Sequence, residues 1–296
     1  MRTERANAKI NTYLNVTARR ENGYHDIVSI MQTVSLCDLV SVDFLPSPHT
    51  SIHLNASGNT SMPTDCRNLA WRAAEAFLKE TQQSGAVRIC LEKHIPMAAG
   101  LAGGSSDAAA VLRALNHLST KKLSLDALCA LGASLGADVP FCIIGGGARV
   151  SGIGEKIEEI PSMPRAVLVV ACKGEGVSTP WAYGELDRKY DFFQAPSKAD
   201  ERPGSIATLW KNGDLLSSVK HFYNLFEEVV PTVQKEVDVL KKVMCDHGAA
   251  FSMMSGSGPS VFGVFENTKD AESACDTLKS MGAVAFVCHP CEKYPV

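Results

Sequence analysis

The chain is organised around one stretch, Pro96-Met97-Ala98-Ala99-Gly100-Leu101-Ala102-Gly103-Gly104-Ser105-Ser106-Asp107. An apolar, strand-like run at residues 87–91 precedes it, and apolar residues follow at helical spacing over residues 108–115. Small residues let the backbone approach an anion closely, and the free N–H groups at a helix start add partial positive charge. The stretch therefore predicts a strand, an anion-binding loop and a helix, in that order.

The residues alone allow two interpretations of this loop. A tight strand-to-helix turn with close helix packing also needs glycine, but the crowding of Gly and Ser exceeds what such a turn requires. A Walker-type loop ends in Gly-Lys-Ser or Gly-Lys-Thr, and no such tripeptide occurs in the chain. We therefore expect a phosphate cradle that works mainly through backbone amides and hydroxyl groups.

The composition is that of an ordinary globular protein. Its 296 residues suit one large or two ordinary domains, and 45% hydrophobic residues are ample for a core. The formal net charge of -3 and the lack of long Lys/Arg runs argue against nucleic acid or an anionic membrane as the main partner. No apolar run approaches the roughly 18 residues of a membrane span, and the first residues do not resemble a targeting segment. We expect a cytosolic, cytoplasmic protein.

The ten cysteines are scattered through apolar stretches, which is typical of reduced core residues. Cys288-His289-Pro290-Cys291 does have the spacing of a redox or metal motif. It stands alone, because the sequence offers no second cysteine pair to complete a tetrahedral zinc site. We therefore expect a structural role for these cysteines.

The first half of the chain mixes strands and helices around the loop. Ser124 is expected to cap a helix that ends at Gly136, and glycine clusters at residues 145–147 and 152–154 punctuate a hairpin. Alternation and helical spacing supply the other elements. These are strands over residues 5–14, 27–35, 39–44 and 50–54 and an amphipathic helix over residues 68–81.

Pro161 and Pro164 mark a predicted domain boundary, after which a second unit begins with a strand over residues 166–171. A polar stretch at residues 189–204 predicts irregular structure. The order helix, strand, strand, helix, strand then suggests a ferredoxin-like α+β sandwich. Its elements are predicted at residues 232–247, 250–254, 261–265, 271–281 and 283–288.

Three polar residues are candidates for chemistry. Lys9 and Asn11 lie two residues apart in the first predicted strand, so they share a face. A lone lysine there is usually a solvated edge charge. Asp138 stands between a helix end and the next element, amid apolar residues. Such a carboxylate is either a helix N-cap, which is the default, or a positioned acid/base group.

Several short motifs follow one another along the chain in a fixed order. They are Ala8-Lys9-Ile10-Asn11, Gly23-Tyr24-His25, the loop at residues 96–107, Gly136-Ala137-Asp138-Val139-Pro140, Val177-Ser178-Thr179 with Ala182-Tyr183, and Ser255-Gly256-Ser257-Gly258-Pro259-Ser260. In this order they resemble the motifs of the GHMP kinase superfamily, from about residue 6 to about residue 265. Separated motifs in register are far more specific than any single glycine loop.

The resemblance implies the family's α+β fold of two lobes that face each other across an active cleft. Residues 1–160 would form a ribosomal-protein-S5-like N-terminal lobe that binds ATP. Residues 161–296 would form a ferredoxin-like C-terminal lobe, whose turn at residues 255–260 faces the cleft without a catalytic role. The implied activity is ATP-dependent phosphorylation of a small alcohol.

The resemblance also implies roles for single residues. Asp138 would be the base for the acceptor hydroxyl group, with Lys9 as its cationic partner. Ser105 or Ser106 would lie near Mg²⁺. The implied nucleotide-binding positions, with Asn68 and Lys93 on the nucleoside side, are Asn68, Lys93, Pro96, Ala98, Gly100, Leu101, Ala102, Gly103, Gly104, Ser105 and Ser106.

On the acceptor side the resemblance implies a small-molecule substrate, a cytidine diphosphate-linked methylerythritol. Tyr24 and Tyr183 would sandwich its pyrimidine, His25 or backbone groups would read the ring's edge, and Asn11 and Thr179 match further positions that hold this substrate. A β-turn with a packed ring is the alternative for Tyr24 and His25. Competing functions are a sister kinase for homoserine, mevalonate or a sugar, and a nucleotide-binding regulator without turnover.

Three features depart from the family's pattern. Ala99 and Ala102 stand where the family commonly has glycine, and alanine is tolerated there only at negative φ. Residues 171–175 lack the proline that usually precedes the Val-Ser-Thr motif. Residues 189–204 match nothing in the family.

Overall fold

A computed structural model describes residues 1–58, 62–191 and 200–295. Within these ranges the fold is carried by a sheet of seven strands and a sheet of four. The elements of the first half are β1 (Arg2–Arg19), β2 (His25–Pro46), β3 (Ser51–Ser57), α1 (Leu69–Glu80), β4 (Gly85–Glu92), α2 (Gly103–Leu118), α3 (Leu125–Leu135), α4 (Val139–Ile144), β5 (Gly147–Gly152) and β6 (Lys156–Ile160).

The second half contains further helices and strands, together with short 3₁₀ turns at Val219–His221, Leu225–Glu228 and Val230–Thr232. None of the helices in the described ranges combines the length and the apolar character needed to cross a bilayer. The elements are β7 (Val167–Cys172), α5 (Thr179–Lys189), α6 (Arg202–Lys211), α7 (Leu215–Ser218), β8 (Tyr223–Asn224), α8 (Glu236–Asp246), β9 (Phe251–Met254), β10 (Val261–Phe265), α9 (Thr268–Ser280) and β11 (Val284–Cys288).

The larger sheet has the order β3-β4-β2-β1-β8, with β5 paired to β2 and β6 to β5. Helices α1, α2 and α3 bury their apolar faces in its main core. The prediction of separate strands at residues 27–35 and 39–44 is wrong, because β2 runs unbroken for 22 residues. Asp38, which lies between the two predicted strands, is buried within β2, and its carboxylate accepts bonds from the backbone N–H groups of His94 and Ile95.

The smaller sheet confirms the predicted ferredoxin-like lobe. Its strands are all antiparallel, in the order β11-β7-β10-β9, and α8 and α9 contribute to the core beside them. This is the arrangement expected for a split βαβ repeat. Helix α8 begins later than predicted, because Val230–Thr232, which contains Pro231, forms a 3₁₀ turn before it.

The two lobes share a buried core. Ala8 and Ile10 of β1 belong to the same cluster as Val170 of β7 and Phe262 of β10. Strand β8, from the second half of the chain, pairs in parallel with β1. The second half of the chain therefore contributes a strand to the larger sheet, and the boundary at 160/161 stays a prediction.

The sequence patterns do not predict several of the helices. Helix α4 is short and starts with Pro140 in its first turn, where proline is well tolerated. Helices α5 and α6 bracket the stretch predicted to be irregular: α5 ends at Lys189 and α6 begins at Arg202. Residues 192–199 of that stretch lie outside the described residues.

Candidate active site

A cleft of about 1050 Å³ opens where the two lobes meet. Its walls come from β1, the loop between β4 and α2, the starts of α4 and α5, and the turn between β9 and β10. Most of the predicted site residues therefore meet in one place. Those that line the cleft are Lys9, Asn11, Tyr24, His25, Lys93, Pro96, Ala98, Gly100, Ala102, Gly103, Gly104, Ser105, Asp138, Thr179 and Tyr183.

Three predicted nucleotide positions lie behind the cleft wall. Asn68 caps α1, because its Oδ1 accepts a bond from a backbone N–H of the first turn at 2.9 Å. The Leu101 side chain is buried. Ser106 is buried as well, and its Oγ donates to the carbonyl oxygen of Asn7 at 2.6 Å. Of the two serines expected near a metal ion, Ser105 is the one that lines the cleft.

The loop before α2 takes unusual backbone angles. Ala98, Gly100 and Ala102 have φ values of 50°, 76° and 58°. The expectation of negative φ at Ala102 is therefore wrong, whereas Ala99 does keep a negative φ. Left-handed angles cost an alanine about 1–2 kcal/mol. The loop bears this cost at Ala102 because that residue turns the chain into α2, as its N-cap.

The start of α2 points free N–H groups along the cleft. The N–H of Ser106 makes an intrahelical bond to the carbonyl oxygen of Ala102 at 2.8 Å. The N–H groups of Gly103, Gly104 and Ser105 come before it and have no partner within the helix. Together with the helix dipole, they suit an anion such as a phosphate group.

The second lobe packs closely against this loop because glycine occupies two of the contact positions. A Cβ on Gly100 would lie 2.2 Å from the carbonyl oxygen of Ser255, and a Cβ on Gly256 would lie 2.9 Å from the carbonyl oxygen of Gly100. The N–H of Ser260 donates to the carbonyl oxygen of Ala99 at 3.3 Å. The turn at residues 255–260 is thus more than a hairpin connection, because it holds the loop in place.

Lys9 and Asp138 meet at the centre of the cleft. The Lys9 Nζ donates to Asn11 Oδ1 at 2.5 Å and lies 4.0 Å from Asp138 Oδ2. Lys9 is 4% exposed, so it is not a solvated edge charge. Asp138 occupies the N-cap position of α4 but makes no side-chain cap bond. The N-cap position predicted for Asp138 is therefore confirmed, but its carboxylate is not used in a capping bond and stands beside an ammonium group.

Lys93 is held between two buried carboxylates. Its Nζ donates to Asp38 and, at 2.5 Å, to Asp107 Oδ2. Burial raises the pKa of Asp107 to about 7, although the Lys93 ammonium acts in the opposite direction. The Asp107 Oδ1 atom is buried with no hydrogen-bond partner. This ion cluster fixes the strand-to-loop connection that precedes the phosphate cradle.

The far end of the cleft is aromatic. Tyr183 stacks on His25 with ring centroids 4.6 Å apart and 16° between planes, and its edge meets Phe226 at 5.0 Å. Burial, aided by the Asp138 charge, raises the pKa of Tyr183 to about 12, so its hydroxyl group stays protonated. Tyr24 lines the same region and is 60% exposed, which leaves a broad ring surface accessible.

Polar side chains surround this aromatic end. Asp187 Oδ1 lies 2.7 Å from His25 Nε2, and Asp187 also pairs with Arg19 at 3.3 Å. The hydroxyl groups of Thr179 and Ser257 lie 2.8 Å apart. Hydrophobic ring faces with hydrogen-bonding groups at their edges are what a nucleobase requires.

Sequence reasoning missed four of these residues. Asp38 and Asp107 are single acids, and no local sequence pattern connects them to Lys93. Asp187 follows Tyr183 by four residues on α5, so it shares a helix face with Tyr183, but α5 was not predicted. Phe226 lies in a 3₁₀ turn without a distinctive sequence pattern.

The described residues contain no group of three or more His, Cys, Asp or Glu side chains that could hold a metal ion. Mg²⁺ in kinases is usually held by one or two carboxylates together with substrate phosphates and water. Asp138 and the Ser105 hydroxyl group, both lining the cleft, fit that smaller requirement. Burial raises the pKa of Cys288 to about 12, which makes a thiolate ligand unfavourable at this position.

Family models match both parts of the chain: GHMP kinases N terminal domain over residues 68–146 and GHMP kinases C terminal over residues 210–284. A 4-diphosphocytidyl-2-C-methyl-D-erythritol kinase from Exiguobacterium sibiricum is 41% identical over 285 residues, which cover 96% of each chain.

Solved structures agree with the family models. A structure of 4-(cytidine 5'-diphospho)-2C-methyl-D-erythritol kinase matches with a TM-score of 0.81 and 33% identity, covering 98% of this chain and 99% of that one. A homoserine kinase from Cytophaga hutchinsonii matches with a TM-score of 0.70, covering 96% of this chain and 95% of that one, and at 18% identity it supports the fold alone. The chain therefore belongs to the GHMP kinases, and within them to the family of the 4-diphosphocytidyl-2-C-methyl-D-erythritol kinases.

Proposed function

We propose that this chain transfers the γ-phosphoryl group of ATP to the 2-hydroxyl group of 4-diphosphocytidyl-2-C-methyl-D-erythritol, a step in non-mevalonate isoprenoid precursor biosynthesis. The observation that carries the proposal is the 4.0 Å approach of Lys9 and Asp138 in a cleft with an anion-binding loop at one end and aromatic rings at the other. Phosphoryl transfer asks the protein mainly for positioning and for charge neutralisation, and these parts supply both.

At the nucleotide end, the amides from Gly100 to Ser105 wrap the triphosphate. The buried Lys93 lines the nucleoside side and is kept in place by Asp38 and Asp107. When bound, Mg²⁺ would neutralise charge on the triphosphate, and the Ser105 hydroxyl group is the protein group that would help to hold it, because Asp138 serves the acceptor hydroxyl group. Asn68 and Ser106 act indirectly, because they hold α1 and β1 behind the loop.

At the reaction centre, Asp138 accepts the proton of the acceptor hydroxyl group. The oxygen then forms a bond to the γ-phosphorus, the bond from that phosphorus to the β–γ bridging oxygen breaks, and ADP leaves. Lys9, 4.0 Å from Asp138, offsets the negative charge that develops on the transferred group.

At the acceptor end, Tyr24 and Tyr183 stack on the cytosine ring. The polar partners around them, His25, Asn11 and Thr179, fix the base and the diphosphate. Stacking of a base on an aromatic side chain contributes about 1–3 kcal/mol. Homoserine, mevalonate and sugars, the acceptors of the sister kinases, contain no nucleobase that could stack on these rings. The rings therefore favour the cytidine-bearing acceptor over those alternatives.

The test is coupled ADP release with purified protein, Mg²⁺ and ATP. We expect turnover with 4-diphosphocytidyl-2-C-methyl-D-erythritol and none with homoserine, mevalonate or galactose. Turnover with one of those alcohols instead would reassign the acceptor. ATP binding in a calorimeter without turnover on any acceptor would favour a nucleotide-binding regulator.

A further inference from the structure

Ser29 is a fully buried serine of β2 that stands behind the reaction centre. It pairs with Leu14 of β1, just beyond a register shift between Asn11 and Tyr13. Such irregularities re-aim side chains and occur next to active sites. Ser29 does not line the cleft, and it touches the reaction centre through Asn11.

The Ser29 hydroxyl group has one proton, which is used in a hydrogen bond to the backbone. Its Oγ donates to the carbonyl oxygen of Tyr13 at 2.6 Å. The same Oγ lies 2.8 Å from Asn11 Nδ2, and with its own proton used it acts there as the acceptor. Ser29 therefore binds the NH₂ end of the Asn11 amide and disfavours its oxygen end.

This choice of end matters for Lys9. An ammonium group carries donors only, so it needs the oxygen of the amide. In the structure Asn11 Oδ1 accepts from Lys9 Nζ at 2.5 Å while Nδ2 faces Ser29. A flipped amide would place two N–H donors against the ammonium group and push it away from Asp138. The backbone of Asn11 is held separately, since its N–H donates to Ser255 Oγ at 3.2 Å.

We propose that Ser29 is a positioning residue for phosphoryl transfer, which orients the Asn11 amide so that its oxygen holds the Lys9 ammonium beside Asp138. This inference rests on the proposed function. Its consequence is specific: loss of the Ser29 hydroxyl group alters the placement of Lys9 and leaves the nucleotide loop intact.

The first experiment compares Ser29→Ala with Ser29→Thr in the ADP-release assay. We expect Ser29→Ala to lower kcat about tenfold to a hundredfold, the cost of misplacing a reacting group by about 1 Å, with KM for ATP within about twofold. Ser29→Thr keeps the hydroxyl group and should restore most of kcat. If Ser29→Ala does not fold, Ser29→Cys replaces it, because its thiol has similar volume and bonds weakly.

The matched control is Ser218→Ala. Ser218 is also fully buried, donates to a backbone carbonyl oxygen, that of Leu215, at 2.6 Å, and accepts from Trp210 Nε1 at 3.1 Å, but it lies outside the cleft. The same kind of hydroxyl group is thus lost far from the chemistry. We expect Ser218→Ala to lose thermal stability to a similar degree and to keep wild-type kcat.

The decisive experiment is a double-mutant cycle with Asn11→Asp. A carboxylate has two equivalent oxygens, so it presents an acceptor to Lys9 in either orientation and leaves Ser29 nothing to orient. We expect Ser29→Ala to lower kcat about tenfold more in the wild-type background than in the Asn11→Asp background.

Three outcomes would overturn the inference: an equal ratio in both backgrounds, kcat of Ser29→Ala within twofold of wild type, or no recovery in Ser29→Thr. Failure of the proposed function looks different, because the wild-type protein itself would then show no turnover with the cytidine-bearing acceptor.

Discussion

Replacing Asp138 by Asn removes the proposed base while preserving its shape. An amide cannot take up a proton at neutral pH, so the acceptor hydroxyl group loses its proton acceptor. General-base catalysis contributes about 10²–10⁴ to the rate, which corresponds to about 2.7–5.4 kcal/mol of activation free energy. We expect kcat of Asp138→Asn to fall by that factor.

The structure predicts a much smaller effect on the free energy of unfolding. The Asp138 side chain makes no cap bond to α4, so no such bond is lost. It is 32% exposed and lies 4.0 Å from Lys9, and ion pairs of this partly exposed kind contribute about 0.2–1 kcal/mol. The loss in catalysis therefore exceeds the loss in stability several-fold. ATP affinity should stay within about threefold of wild type, since the phosphate cradle is built from backbone groups of another loop.

The assay measures coupled ADP release under saturating substrates, with calorimetry for ATP binding and urea unfolding for stability. Asp214→Ala is the control, because Asp214 does cap its helix, accepting from the N–H of Ser217 at 3.0 Å, and lies outside the cleft. That variant should lose about 1 kcal/mol of stability and keep wild-type kcat. A folded Asp138→Asn protein with turnover within a few-fold of wild type would remove Asp138 from the mechanism. Loss of ATP binding in parallel with turnover would make its role structural.

Three further predictions concern the loop, the acceptor site and a buried acid. Ala102→Gly should raise the free energy of unfolding by about 0.5–1 kcal/mol in urea, because relief of about 1–2 kcal/mol of left-handed strain exceeds the added entropy of the unfolded chain, about 0.4–1 kcal/mol; a loss of stability contradicts this. Tyr24→Ala should raise KM for the cytidine-bearing acceptor about tenfold to a hundredfold without raising KM for ATP, and an equal rise in both constants contradicts base stacking. Burial raises the pKa of Asp107 in the folded state to about 7, so between about pH 4 and pH 7 the folded protein binds a proton that the unfolded chain does not. This contribution to stability therefore falls as pH rises through that window, by up to about 1.4 kcal/mol per pH unit. Urea unfolding at pH 5 and pH 8 should show a weaker fall in Asp107→Asn than in wild type, and equal falls contradict the shift.

Much of the fold follows from local patterns in the chain. The glycine-rich loop lies between a strand and a helix as predicted, since small residues and helical spacing act over a few neighbouring positions. Ser124 caps α3 through a bond from the N–H of Ala127, and Gly136 ends that helix. The ferredoxin-like lobe can equally be predicted, because alternating and helically spaced apolar residues identify its strands and helices. The unbroken strand β2 was not predicted, because its central acid, Asp38, is buried through bonds from the distant backbone N–H groups of His94 and Ile95.

The chemistry of the site depends on distances that no local pattern contains. Lys9 and Asp138 are remote in sequence and 4.0 Å apart in space, and Asp38, Lys93 and Asp107 form one cluster from three separate segments of the chain. The amino-acid order alone determined which segments become strands, helices and the anion-binding loop, because propensity, period and glycine act between neighbours. Sheet pairing and lobe packing decided which charges meet, which N-cap acid makes no capping bond and which alanine adopts a positive φ. These features depend on contacts between residues far apart along the chain.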